Sequence, residues 1–92
     1  MEGKGIYYFN NPPFKGDRYE GGFKNGKPEG KGIYYYNNGN RYEGDYKNGM
    51  PEGKGIIYYK NGDRQIGDWK DGKPIGKHVT LCKNGEIKTK NY

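Results

Sequence analysis

The stretch Arg18-Tyr19-Glu20-Gly21-Gly22-Phe23-Lys24-Asn25-Gly26 returns twenty-three residues later as Arg41-Tyr42-Glu43-Gly44-Asp45-Tyr46-Lys47-Asn48-Gly49. After the same interval it returns again, altered, as Arg64-Gln65-Ile66-Gly67-Asp68-Trp69-Lys70-Asp71-Gly72. A fixed period of this length marks stacked supersecondary units, each burying its apolar side against its neighbours. Turn dipeptides punctuate the repeats. Asn25-Gly26, Asn48-Gly49 and Asp71-Gly72 fall inside them, and Asn38-Gly39, Asn61-Gly62 and Asn84-Gly85 between them. Asn-Gly and Asp-Gly accept positive φ, so the pattern predicts primed hairpin turns and an up-and-down antiparallel sheet. Strands are expected over 4–10, 18–24, 31–37, 41–47, 54–60, 64–70, 77–83 and 86–90. No segment has helical periodicity, and glycine recurs too often for a helix.

Strand alternation sorts the side chains. Tyr19, Gly21 and Phe23 share a face, as do Tyr42, Gly44 and Tyr46, and then Gly67 and Trp69. In the second strand type Gly30, Gly32, Tyr34 and Tyr36 lie on one side, with Lys31, Ile33 and Tyr35 on the other; Gly53 and Gly55 begin the next copy. A strand glycine packs nothing itself, so its regular use beside aromatics predicts a ring lying over it from the neighbouring strand.

The composition is consistent with a thin sheet. Only 29% of the 92 residues are hydrophobic, and 11 of them are tyrosines, which rules out a deep aliphatic core. The formal charge of +6 favours acidic partners: anionic lipid, acidic protein segments or nucleic acid. A single cysteine, Cys82, makes no internal disulfide, and a reducing intracellular compartment is expected. No apolar run resembles a signal peptide or a membrane span, so any membrane contact is expected to be peripheral.

The series Tyr-Glu-Gly-x-aromatic-x-x-Gly-x-x-x-Gly-x-Gly, carried by Tyr19, Glu20, Gly21, Phe23, Gly26, Gly30 and Gly32, then by Tyr42, Glu43, Gly44, Tyr46, Gly49, Gly53 and Gly55, resembles the membrane occupation and recognition nexus (MORN) repeat. The resemblance covers nearly the whole chain. It implies an all-β, single-layer, elongated and curved antiparallel sheet of tandem hairpins, acting as a scaffold or interaction module. Members of the family are associated with peripheral membrane attachment, phosphoinositide recognition, cytoskeletal and ciliary structures and oligomerisation. The expected organisation is one domain: a half repeat over 1–17 with a loop insertion at 12–15, repeats over 18–40, 41–63 and 64–86, and an end strand over 86–92. The third copy departs at Gln65, Ile66 and His78, as terminal repeats do, and is read as a cap. Because Met1-Glu2-Gly3-Lys4-Gly5-Ile6 matches Pro28-Glu29-Gly30-Lys31-Gly32-Ile33, the chain starts inside a repeat, either as a piece of a longer array or with an edge open to strand addition.

Catalysis finds little support. There is no serine and one histidine, so neither a nucleophilic triad nor a duplicated metal motif can be assembled. No cofactor is expected. His78 and Cys82 share a strand face but make only two ligands. Glu20 and Glu43 are read as structural, each paired across strands with a Lys or Arg. The lysines are more informative. Lys4, Lys31, Lys54 and Lys77 occupy one repeat position and Lys24, Lys47 and Lys70 another, forming stripes. Such stripes either attract an acidic protein or an anionic lipid surface, or merely keep the sheet solvated. Phe14 is either an exposed anchor or a ring folded over Tyr8 or Phe9. Nucleic acid ranks below these partners, because the tyrosines needed for base stacking are also needed as core. Other protein subunits, held at an edge strand or in a groove, are the favoured partners, with a further copy of the chain among them. The alternative is phosphoinositide bound by the lysines. The expected setting is cytoplasmic, cytoskeletal or peripheral to a membrane.

Overall fold

Two kinds of turn alternate along the chain. At Asn25-Gly26, Asn48-Gly49 and Asp71-Gly72 both residues have positive φ (53° and 76°, 52° and 85°, 51° and 82°), the signature of the two-residue primed hairpin. At Asn38-Gly39, Asn61-Gly62 and Asn84-Gly85 only the glycine does. There Gly39 N–H donates to Tyr36 O at 3.1 Å, Tyr36 N–H to Asn40 O at 2.9 Å, and the Asn38 side chain accepts from Asn40 N–H at 2.9 Å. These outer connections are three-residue loops with a left-handed glycine, a correction to the uniform primed turns expected from the dipeptides.

The computed structural model describes residues 3–12 and 14–92; Met1, Glu2 and Pro13, which the expected half repeat and loop insertion include, lie outside the described residues. Eight strands follow one another: β1 (Gly3–Tyr8), β2 (Arg18–Lys24), β3 (Lys27–Tyr35), β4 (Arg41–Lys47), β5 (Met50–Tyr58), β6 (Arg64–Lys70), β7 (Lys73–Leu81) and β8 (Ile87–Asn91). They form one open antiparallel sheet in chain order, with no helix among the described residues, and span 40 × 24 × 20 Å. The all-β single-layer architecture is as expected. Strand starts differ, however: β3, β5 and β7 begin directly after the tight turn, four residues before the expected Lys31, Lys54 and Lys77. The prolines do not prevent this, because Pro28 and Pro51 pair with Phe23 and Tyr46 just where the register shifts, and a bulge needs no N–H from them. The last strand starts at Ile87 rather than Glu86, whose N–H is taken by the Asn84 side chain at 3.0 Å.

The core is a ladder of rings on one face. Tyr19, Phe23, Tyr42, Tyr46 and Trp69 are the buried hydrophobic residues, with Tyr19 fully enclosed. Edge-to-face contacts run Tyr19–Tyr46 at 4.9 Å, Tyr42–Trp69 at 5.4 Å, Trp69–His78 at 5.3 Å and His78–Tyr92 at 4.8 Å, so each repeat's ring packs on the next. Glycine makes room for them. A Cβ at Gly32 would stand 2.5 Å from Cε1 of Tyr19, and one at Gly55 equally close to Cε1 of Tyr42. Gly30 is needed for a different reason: space around it is open, but its φ of 76° belongs to the left-handed region.

The third repeat keeps this arrangement by exchanging partners. Tyr19 donates its hydroxyl to Gly22 O at 3.0 Å. In the third repeat the tyrosine position holds Gln65 and the glycine position holds His78, whose Nε2 lies 2.8 Å from Asp68 O, the carbonyl equivalent to that of Gly22. The ring therefore enters from the opposite strand. With Nε2–H donating, Nδ1 accepts from Gln65 Nε2 at 2.9 Å; Gln65 also accepts from the Tyr59 hydroxyl at 2.8 Å and donates to the Tyr92 hydroxyl at 3.2 Å. The altered third copy is thus a coupled substitution that closes the ladder on Tyr92.

The exchange predicts strong coupling between the two positions. Gln65→Tyr alone drives a ring into His78, and His78→Gly alone leaves a void. Together they restore the pair used in the other repeats. The double variant should recover about 0.5–3 kcal/mol relative to the sum of the single losses, read from urea unfolding of all four proteins.

Burial also sets the alkaline limit. Tyr19 and Tyr42 are pushed from the ordinary 10 up to about 12, first by loss of hydration and then by Glu29 and Asp45 respectively; burial raises Tyr46 as well. The folded state holds these protons more tightly than the unfolded chain. Their contribution is complete below pH 10 and is lost as pH rises through 12. The share of tyrosinate absorbance that belongs to the buried Tyr19, Tyr42 and Tyr46 should therefore appear together with loss of the sheet's circular dichroism above pH 10, and Tyr→Phe variants at the exposed Tyr7 and Tyr8 should leave that coincidence unchanged.

Candidate binding groove

The face opposite the rings carries three rows that cross the strands. The middle one runs Ile6, Glu20, Ile33, Glu43, Ile56, Ile66, Val79, each residue paired with the next in register. Alternation makes this unavoidable: a strand that turns Tyr19 and Gly21 inward turns Glu20 outward. Toward the tight turns lie the lysines, with Lys31 opposite Asp45 and Lys54 opposite Asp68. Toward the outer loops Arg18 stacks on Tyr35 at 3.8 Å and Arg41 on Tyr58 at 4.1 Å.

Between the lysine row and the isoleucine row runs a groove of about 820 Å³ reaching from β1 to β6. Lys4, Lys31 and Lys54 form one wall and Ile6, Ile33, Ile56 and Ile66 much of the other, over a floor of glycine backbone. Ile6 is 46% and Ile66 40% exposed. The glutamates in this wall have their charge compensated within their own strand, since Arg18 Nε lies 3.9 Å from Glu20 and Arg41 Nε 3.9 Å from Glu43. This corrects the expected cross-strand pairing: the residues across from Glu20 are Ile6 and Ile33.

The remaining sequence candidates fall elsewhere. Lys77 faces Asn91 on β7, outside the groove lining. Lys24, Lys47 and Lys70 end β2, β4 and β6 beside the tight turns and are likewise outside it. Phe14 is 52% exposed and its ring lies 5.9 Å from that of Phe9, so it extends the ring ladder at the β1 end. His78 is committed to the core and Cys82 is a free thiol; no group of three metal-ligating residues occurs among the described residues. β1 and β8 each have a strand neighbour on one side only among the described residues.

Two periodic features escaped the sequence reading. One is the apolar row, signalled by the isoleucine after each Gly-Lys-Gly at Ile6, Ile33 and Ile56. The other joins the outer loops: Asp17, Asn40 and Asp63, spaced by the repeat, accept the N–H of Asn37, Lys60 and Lys83 at 2.6, 2.8 and 2.9 Å. Asp17 also takes the Tyr34 hydroxyl at 2.6 Å.

No helix of the described residues is long and apolar enough to cross a membrane. Comparison with family models matches the MORN repeat at residues 1–11, 19–41, 42–64 and 66–77. No curated protein matches the chain.

The two faces should respond differently to substitution. Ile66→Ser on the groove face should change the unfolding free energy by about 1 kcal/mol or less, whereas Tyr42→Ala should cost about 3–5 kcal/mol, both measured by urea titration.

Proposed function

The chain belongs to the MORN repeat family, and we propose that it is a non-catalytic interaction module whose groove receives a segment of another protein within a larger intracellular assembly. Repeats of this family are generally non-catalytic and occur in membrane or protein interaction contexts. The observation that carries the choice is the isoleucine row, exposed at Ile6 and Ile66 and half-buried at Ile33 and Ile56. The buried rings of the sheet's own core lie on the other face, so this row keeps apolar surface in water that a partner would cover.

Lysines along one wall serve this reading by attracting acidic segments and raising the encounter rate. The competing reading, a phosphoinositide head group on Lys31, Lys54 and Lys77, is less well supported. Lys77 lies outside the groove that Lys31 and Lys54 line, so the three do not converge on one head group. The groove's apolar wall also has no use for a head group.

Sedimentation with phosphoinositide-containing vesicles at low salt separates the two. The protein should stay in the supernatant, while a photo-crosslinker at Ile33 should capture protein from a native extract and one at Lys24 should not. Pelleting that is abolished by Lys31→Glu, Lys54→Glu and Lys77→Glu together would replace the protein reading with the lipid one.

A further inference from the structure

We propose that the outer row of this face, which lies beside the groove and not in it, binds single-stranded nucleic acid; the site goes beyond the protein-interaction reading and does not depend on it. The row runs Tyr8, Arg18, Tyr35, Arg41, Tyr58, Arg64, each residue paired in register with the next. It crosses the sheet from β1 to β6, a span of about 24 Å. None of the six lines the groove. Tyrosine is wanted both for stacking and as core, and the fold meets both needs by using both faces. Tyr19, Tyr42 and Tyr46 are buried among the rings, whereas Tyr8, Tyr35 and Tyr58 alternate onto the opposite face and take no part in that core.

Flat groups alternate with positive charge along this row. Arg18 lies over the Tyr35 ring at 3.8 Å and Arg41 over Tyr58 at 4.1 Å, with the two arginine side chains 41% and 44% exposed. A guanidinium held over a ring can take a second flat group on its other face, and unpaired bases stack on arginine planes as they do on aromatic rings. Tyr8, 61% exposed, offers its own ring at the β1 end. At the other end Leu81 replaces the tyrosine and Ile66 the glutamate of the earlier copies, and Arg64 is exposed. Aromatic rings interleaved with cations are the combination that holds a single strand, by base stacking and backbone attraction together.

Charge then places the phosphates. The outer loops that border the row carry the exposed Lys15, Lys60 and Lys83. Lys60 lays its stem against Gly39 and Lys83 against Gly62, which limits the freedom each side chain has left to lose on binding. The loop carboxylates of Asp17 and Asp63 are engaged by the N–H groups of Asn37 and Lys83. Glu20 and Glu43 lie on the isoleucine side, 3.9 Å from Arg18 and Arg41, and repel a phosphate from that flank. The sugar-phosphate chain therefore follows the loops while the bases lie on the row. An acidic peptide would use the cations and leave the flat groups without a partner, and a duplex keeps its bases stacked inside itself.

Fluorescence anisotropy of the full chain with a labelled oligothymidylate of about a dozen residues tests this. The oligomer should bind, and log affinity should fall against log salt with a slope between about −2 and −4, as three arginines with up to three lysines require on a single strand. Tyr35→Leu and Tyr58→Leu reproduce what Leu81 already does in the third copy, so the sheet should keep its circular dichroism while each weakens binding at least about fivefold. Arg41→Lys keeps the charge and loses the plane; it should weaken binding and leave the salt slope unchanged. Lys70→Gln, at the end of β6 far from Arg64, should shift affinity by less than about twofold. Full affinity in the leucine variants and in Arg41→Lys, or equal binding of a duplex of the same length, would reduce the row to diffuse charge and overturn the site. Equal binding of polyglutamate would replace nucleic acid with an acidic protein segment. No binding of the oligomer at low salt would remove the site and leave the groove, tested by crosslinking at Ile33, untouched.

Discussion

The sheet depends on a tyrosine ring laid over a glycine of the adjoining strand. A single layer has no second sheet or helix to cover it, so its core must be built from side chains of its own strands leaning across one another. Large flat rings supply the area, and the absence of a Cβ at Gly32 and Gly55 lets them lie close to the backbone. The same constraint crosses the sheet, since a Cβ at Gly44 would stand 2.7 Å from both Gly55 Cα and Lys54 O. Repeat after repeat, the rings interlock edge to face and the chain becomes a continuous ribbon.

Once one face is committed to rings, strand alternation dictates the other. The residues between the ring positions point away together, and the fixed period brings the same pairs together in successive repeats: isoleucine with glutamate, lysine with aspartate, arginine with tyrosine. The groove is thus a by-product of the core's periodicity, and its dimensions are those of strand spacing.

Much of this was legible in the residues. Tyr19, Gly21 and Phe23, repeated at Tyr42, Gly44 and Tyr46, announced the hairpins, the single layer and the ringed face, because alternation and glycine's small size are local properties. The lysine stripes were legible for the same reason. Less so were the strand starts, since Pro28 and Gly30 read locally as breakers, and only pairing with β2 turns them into a bulge. The apolar row was missed because Ile6, Ile33, Ile56 and Ile66 lie far apart in the chain and meet only after the strands are stacked.

The amino-acid order by itself determined the repeat, its period, the turns that reverse the chain and the family to which the chain belongs, since each is written within a few neighbouring residues. Tertiary structure decided which lysines share a wall with isoleucine and which end at hairpin tips, and that Arg18 and Arg41 sit beside glutamates of their own strands. It also decided that Gln65 and His78 are two halves of one substitution, because a ring may enter a fixed space from either side and only packing in three dimensions shows which strand provides it.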